Sequence, residues 1–293
     1  MSVPMDSRCY LCHLTRHIQT ARELAGNAAA DAVARGLMQA YLEAPEDAGP
    51  PYFGPILNRL LEEHCGVKGD RYKEEKELSN RFVMERLDVI RERIEQAEDP
   101  LYAGIQFAIL GNYIDFSALQ GEVSFEKLDD LLAQGENMCL DKESYRLLCR
   151  DLAAGKRLLY LTDNAGEIGF DRLLAEQIHK AYPHVEITFC VRGGPAANDA
   201  TREDAAIVGI PFPVIDSGAC IAGTLLPLLG EEAKKAIDQA DVIFAKGQAN
   251  VESLYGCGLN LYYAFLVKCS RFIDLFRKPK FAPMLLRERS GNP

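Results

Sequence analysis

Leu158-Leu159-Tyr160-Leu161-Thr162-Asp163-Asn164-Ala165-Gly166-Glu167 is the stretch that decides the fold. An uncharged apolar run of strand length ends abruptly in two polar residues and a glycine. An amphipathic pattern follows, with Phe170, Leu173, Leu174 and Ile178 spaced to share one helix face. The same grammar recurs downstream. Glu186–Val191 reads as a second strand, ending in Arg192-Gly193-Gly194. Phe212–Ile215, Val242–Ala245 and Leu261–Val267 read as a third, fourth and fifth. Continuous apolar strands alternating with helices predict a mostly parallel sheet covered on both faces, an α/β Rossmann-like arrangement.

Upstream of this region the character is helical. Leu78, Phe82, Leu87, Ile90 and Ile94 recur at helical spacing among Glu and Arg, with Asp70 placed to cap the helix start. Leu14–Leu24, Ala28–Leu42, Ile56–Cys65 and Leu101–Leu110 show similar periods, and Pro50-Pro51 breaks the chain between two of them. The expected organisation is a helical domain over residues 1–154 and a Rossmann-like α/β domain over 155–293, with the boundary near Gly155. Ser290–Pro293 reads as a disordered tail.

The bulk numbers bound the function. The chain has 293 residues, enough for one large domain or two ordinary ones. With 48% hydrophobic and 26% charged residues, wholesale disorder is excluded. Lys+Arg total 33 against 43 Asp+Glu, a formal charge of −10, which argues against a nucleic-acid partner. No stretch approaches the roughly 18 apolar residues of a membrane helix. The first residues lack an apolar signal region, so a cytoplasmic protein is expected. Nine cysteines then read as reduced thiols, and their odd number argues against a complete disulfide framework.

In open parallel sheets ligands bind beyond the carboxyl ends of the strands. Those ends supply Asp163-Asn164-Ala165-Gly166-Glu167, then Asn198-Asp199-Ala200-Thr201, then Lys246-Gly247-Gln248-Ala249-Asn250. Carboxylates and carboxamides suit a hard divalent cation. A lysine beside helix N-termini suits a phosphate. Taken singly, each Asp or Asn is more often a helix cap; their convergence on one edge favours a metal-plus-phosphate site. The Gly-x-Gly-x-x-Gly fingerprint and the P-loop are both absent, which weighs against a nicotinamide oxidoreductase and a P-loop NTPase.

These three blocks resemble the signatures of the metal-dependent damage-control phosphatase family. Cys9-Tyr10-Leu11-Cys12, Asp70-Arg71-Tyr72-Lys73 and Gly111-Asn112-Tyr113-Ile114-Asp115-Phe116 agree, and the Cys-x-x-Cys is similar to the smaller microbial branch. The resemblance implies a helical domain packed on an α/β domain with the site between them. It implies Asp163, Asn164 and Asp199 as ligands of one divalent cation (Mn, Mg, Co or Ni), and Lys246 as a phosphate-binding lysine. Asn112 and Asp115 would be polar residues presented to the cleft. The implied activity is hydrolysis of small phosphorylated metabolites, such as damaged or side-product sugar and cofactor phosphates. Catalysis would rest on Asp163, Asp199 and Lys246, with metal-activated water as attacking group. Whether Asp163 is a nucleophile or only a ligand stays open. Glu167 reads equally as a partner of the site or as a favourable carboxylate at a helix N-terminus. Arg192 reads equally as a phosphate ligand or a cap of the sheet.

Cys9-Tyr10-Leu11-Cys12-His13 also matches a haem-attachment string, which belongs outside the cytosol. Zinc would need two more ligands, from among His13, His17, His64 and Cys65. Buried thiols are the plainer reading of Cys9 and Cys12. Cys139, Cys149, Cys190 and Cys220 fall in apolar stretches and are expected in the core. Two other function classes compete: an S-adenosylmethionine-dependent carboxyl methyltransferase, and a non-catalytic module that binds a phosphometabolite.

Overall fold

The computed structural model describes residues 3–114 and 138–288. Asp115 and the tail Ser290–Pro293 lie outside the described residues.

Among the described residues six strands form one sheet in the order β3-β2-β1-β4-β5-β6. They are β1 (Arg157–Leu161), β2 (Glu186–Val191), β3 (Val214–Asp216), β4 (Val242–Lys246), β5 (Leu261–Leu266) and β6 (Pro283–Arg287). The first five are mutually parallel, and β6 runs antiparallel to β5. The fold is therefore α/β with a mostly parallel sheet. Every residue of β4 and β5 is buried, which is why these strands read as continuous apolar runs. Tyr262, Tyr263 and Phe265 lie in the sheet core, as expected.

Side-chain alternation sorts the sheet into two cores. Leu158 and Tyr160 of β1, with Phe189 and Phe244, pack against Leu101, Ile105, Leu148 and Leu174. Those come from the helices Pro100–Gly111, Lys142–Ala154 and Glu167–Ala181. Leu159 and Leu161 face the other way. There they join Ile243, Tyr263 and Phe265 against Ile237, Leu254 and Phe272. That layer is built from the helices Glu231–Gln239, Gln248–Leu254 and Ser270–Phe276.

Among the described residues no strand precedes β1. Ser7–Glu43 is one long helical run interrupted at Gly26, whose φ of 82° is non-helical. It joins the two helices expected on either side. The pattern from Leu78 to Ile94 divides into Lys73–Met84 and Leu87–Gln96. The turn at Glu85-Arg86 swings Leu87, Ile90 and Ile94 onto the same cluster as Phe82 and Val83. Asp70 does not cap that first helix directly, since Tyr72 holds the cap position. Its carboxylate instead accepts from the Tyr72 N–H and from Lys76 Nζ, both at 2.9 Å.

The amino-terminal segment straps the chain together. The Val3 N–H donates to the Glu252 carbonyl at 2.8 Å and the Met5 N–H to the Ala48 carbonyl at 2.9 Å. Arg8 pairs with Asp274 and donates to the Ser270 carbonyl at 3.3 Å. Among the described residues no helix is long and apolar enough to cross a membrane. All nine cysteines are free thiols. Cys190 is buried and Cys149 half-buried, but Cys139 and Cys220 are exposed, contrary to the core placement expected from their neighbours.

Candidate functional site

The chain runs β1, β2, β3 outward in one direction and then returns to place β4 on the other side of β1. The carboxyl ends of β1 and β4 therefore flank the topological switch point, where open sheets of this kind bind ligands. The loop leaving β1 is tied to the loop after β2. Thr162 donates through its N–H and Oγ1 to the Cys190 carbonyl, at 3.1 and 3.2 Å. The Ala200 N–H donates to the Asp163 carbonyl at 2.7 Å and the Ala165 N–H to the Asn198 carbonyl at 2.9 Å. Asn164 and Asp199 thus form an isolated antiparallel bridge. Two sequence blocks 35 residues apart meet as neighbours, as their common position at strand ends implied.

Asp163 and Asp199 are 6% and 4% exposed. Asp163 Oδ2 accepts from Asn112 Nδ2 and Asn164 Nδ2, each at 2.9 Å. Burial, and then the nearby charges of Glu167 and Asp199, push the Asp163 carboxyl well above its ordinary range. Lys268 and Arg192 act in the opposite sense. Gly247, at φ 78°, makes this approach possible: a Cβ there would sit 1.9 Å from Asp163 Oδ2. Asn112 Oδ1 is buried and has no hydrogen-bond partner. A buried carboxylate beside like charges, next to an orphaned carboxamide oxygen, is a donor set that fits a hard cation. Among the described residues no group of three or more His, Cys, Asp or Glu is arranged to hold a metal. A cation here would thus rest on Asp163, Asp199 and carboxamide oxygen, and zinc at Cys9 and Cys12 gains no ligand set.

Glu167 and Lys246 lie deeper, and both are fully buried. Lys246 Nζ donates to Glu167 Oε1, Asp171 Oδ1 and the Ala108 carbonyl, all at 2.7 Å. Burial opposes its charge, but Asp171 and Glu167 outweigh it and raise its pKa to about 12. Glu167 Oε2 accepts from Asn112 Nδ2 at 2.9 Å and Asn164 Nδ2 at 2.8 Å. Glu167, in the first turn of its helix, thus contacts Asn112 and Asn164 as well as Lys246. Arg192 is 2% exposed. It donates to Asp199 Oδ2 at 2.6 Å, to the Thr162 carbonyl at 3.0 Å and to Thr224 Oγ1 at 3.4 Å. Its guanidinium braces Asp199 and the end of β1.

Asp70 joins a second set of polar residues, of which Lys76, Asn80 and Asp204 carry no signature motif in the sequence. Lys76 Nζ lies 2.9 Å from both Asp70 Oδ2 and Asp204 Oδ2. Asn80 Nδ2 donates to Asp204 Oδ1 at 2.8 Å, and its Oδ1 accepts from the Gly166 N–H. Lys76 and Asn80, one helical turn apart within an otherwise charged segment, were the available signal.

A cleft of about 480 Å³ opens beside this region. Asn58, Leu61, Lys68, Arg71 and Tyr72 line it on one side, Pro195 and Ala197 on the other. Ala197 is a non-glycine residue at φ 49°, immediately before Asn198-Asp199. A smaller cavity of about 190 Å³, bounded by Arg157, Glu186 and Gln239, lies at the amino ends of β1 and β2, the wrong end of the sheet for a ligand.

The chain is similar to known proteins over most of its length. The sequence model described as the damage-control phosphatase ARMT1-like domain matches residues 5–282. An uncharacterized protein of Methanocaldococcus jannaschii is 34% identical over 283 residues, covering 92% of this chain and 90% of its own length. A damage-control phosphatase of Archaeoglobus fulgidus is 33% identical, covering 73% of this chain and 74% of its own. One from Pyrococcus horikoshii is 31% identical, covering 84% of each. The crystal structure of a DUF89 family protein from Pyrococcus horikoshii superposes with a TM-score of 0.83 at 27% identity, covering 98% of this chain and 99% of that one.

Proposed function

Because the chain belongs to the damage-control phosphatase ARMT1-like family, we propose that it is a divalent-metal-dependent phosphatase of small phosphorylated metabolites. The observation that carries this reading is the pair of buried carboxylates, Asp163 and Asp199, brought together at the switch point beside an unpartnered Asn112 oxygen. Asp163, Asn164 and Asp199 would hold one cation, of which Mn, Mg, Co and Ni all accept such ligands. When bound, that cation polarises a phosphoryl oxygen and lowers the pKa of water.

The chain's own residues do the rest. Asp163 and Asp199 orient the attacking water as acceptors, each held in place by fixed N–H donors. Lys268, half-buried just past β5, bears on Asp163 and supplies positive charge at the same edge. The cleft between Arg71 and Ala197 takes the leaving group, so residues 58–72 shape its recognition. Glu167 and Asn112, expected at the substrate, act here by orienting the ligands.

The test is a panel of sugar and cofactor phosphates assayed with each of the four metals, before and after chelation. Metal-dependent release of phosphate, abolished in Asp163→Ala and Asp199→Ala, is the expected result. Turnover that survives chelation, or metal-dependent methyl transfer without phosphate release, would overturn the reading.

A further inference from the structure

An ammonium group has three N–H donors. In Lys246 they are matched by three acceptors at 2.7 Å: Glu167 Oε1, Asp171 Oδ1 and the Ala108 carbonyl. None of the three charged side chains is exposed. A phosphate oxygen could reach Nζ only by displacing one of these partners. The direction of the side chain follows from the pleat. Val242 and Phe244 face the core shared with the helices Pro100–Gly111 and Glu167–Ala181, and Lys246 continues that row.

Glu167 is the junction between this lysine and the site. Its Oε1 takes Lys246, and its Oε2 takes the Nδ2 groups of Asn112 and Asn164. Those same two Nδ2 groups also reach Asp163 Oδ2. A carboxamide that gives its Nδ2 to carboxylates turns its Oδ1 away from them. The orientation of both oxygens therefore depends on Glu167 Oε2 staying in place as an acceptor.

We propose that Lys246 is a positioning residue, acting through Glu167, that sets the cation affinity of the Asp163, Asn164 and Asp199 centre and does not touch the phosphate. The inference rests on the reading of that centre as a cation site. Removing the ammonium leaves Glu167 and Asp171 as two buried carboxylates without a counter-charge, a costly arrangement that is relieved when the Glu167 side chain moves away from Asp171. That movement withdraws the fixed acceptor from Asn112 and Asn164. Loss of a group that orients metal ligands typically costs about 10–100-fold in metal affinity. A lysine that merely bound phosphate would leave that affinity unchanged.

The experiment uses Lys246→Met, Glu167→Gln and the double variant in the full chain. Manganese binding is read by electron paramagnetic resonance of the free ion, with no turnover required. Lys246→Met is expected to bind manganese at least about tenfold more weakly. The double variant is expected to recover part of that loss, because a neutral carboxamide in place of the Glu167 carboxylate can still accept from both Nδ2 groups. Thermal midpoints of all variants separate this recovery from a general loss of packing. At saturating manganese, inhibition by inorganic phosphate should match the wild type.

Wild-type manganese affinity in Lys246→Met, or a tenfold or greater loss of phosphate affinity at saturating metal, overturns the inference. If Lys246→Met does not fold, Glu167→Gln decides, since with Lys246 still present its single oxygen cannot serve both the ammonium and the two Nδ2 groups, which Glu167 serves with two: unchanged manganese affinity there overturns the inference equally. A wild-type chain that binds manganese but releases no phosphate from any ester overturns the phosphatase reading and leaves the Lys246 result valid. A wild-type chain that binds no divalent cation overturns both.

Discussion

The backbone N–H of Gly166 donates to Oδ1 of Asn80 at 2.7 Å, across 86 residues of sequence. The other end of the same carboxamide holds Asp204, which caps the turn at Thr201. One side chain of the Lys73–Met84 helix thus fixes the loop after β1 and the loop after β2, the two that carry Asn164 and Asp199. Asn80→Ala leaves a buried N–H and a buried carboxylate oxygen each short of a partner. The expected cost is about 1–3 kcal/mol of stability, read from denaturant midpoints. Manganese affinity should fall with it; an unchanged affinity would mean that the loops hold their positions unaided.

Asp163→Asn should separate stability from function. The native carboxylate is buried beside Glu167 and Asp199, an arrangement that costs free energy when no cation is bound. The amide is nearly isosteric and uncharged. In chelator, the melting temperature of Asp163→Asn is expected to rise above the wild type, while metal binding and hydrolysis are lost. A lower melting temperature in chelator would show that the charge itself holds the apo site together.

Gly247 and Gly258 offer a matched comparison. Both have positive φ, 78° and 82°. A Cβ at Gly258 meets nothing within 4 Å, whereas one at Gly247 meets Asp163 Oδ2 at 1.9 Å. Gly258→Ala should cost only the left-handed backbone penalty, roughly 1 kcal/mol. Gly247→Ala should lose more stability and, in addition, nearly all metal binding. Equal effects on metal binding would show that Asp163 can move aside.

Acid should destabilise the protein through two imidazoles. Burial, with Arg16 nearby, lowers the pKa of His13 from 6.5 to about 4. Burial, with His13, Arg16 and Arg71 nearby, lowers that of His17 to about 2. Below pH 6.5 the unfolded chain takes up protons that the folded chain refuses, so stability falls as pH falls. The window runs from 6.5 down towards 4 for His13 and further for His17. The limit is about 1.4 kcal/mol per pH unit for each group. Burial raises Asp171 and Glu252 to about 7, which works in the opposite sense over part of that range. The clean measurement is therefore a difference: denaturant midpoints at about pH 7 and about pH 5 for wild type and His17→Leu. The variant should lose less stability on acidification; an equal loss would place the His17 titration near its ordinary value.

The sheet was legible because its central strands are buried on both faces, leaving short apolar runs that alternate with amphipathic helices. β2 was read to the residue and β1, β4 and β5 to within one. β6 was missed: it is a short edge strand that opens on Pro283, closes on Arg287 and is only half-buried over most of its length. The polar residues at the strand ends could be gathered from topology alone, since parallel strands bring their carboxyl ends together. What each side chain does once there was not legible. Lys246 was assigned to phosphate, and its three bonds go elsewhere because strand parity turns it towards Asp171 and Ala108. Packing also runs across Gly155: Leu101 and Leu148 share a core with Leu158 and Tyr160. The network of Asp70, Lys76, Asn80 and Asp204 stayed hidden because its partners lie far apart in sequence, where local periodicity carries no information.

The strap formed by Val3 and Arg8 bears on the order of assembly during synthesis. Its partners, Glu252, Ser270 and Asp274, are synthesised long after it. The helix Ser7–Glu43 can meet Leu60 and Leu61 of the next helix early, through Val33 and Leu37. Arg8 must nevertheless wait for the helix Ser270–Phe276 before it is held. The central strand β1 likewise waits for β4, some 80 residues later. Refolding from denaturant and recovery from a translational pause should therefore be limited by how fast distant segments find one another, and nascent chains stopped before Val242 would leave one edge of β1 exposed to chaperones.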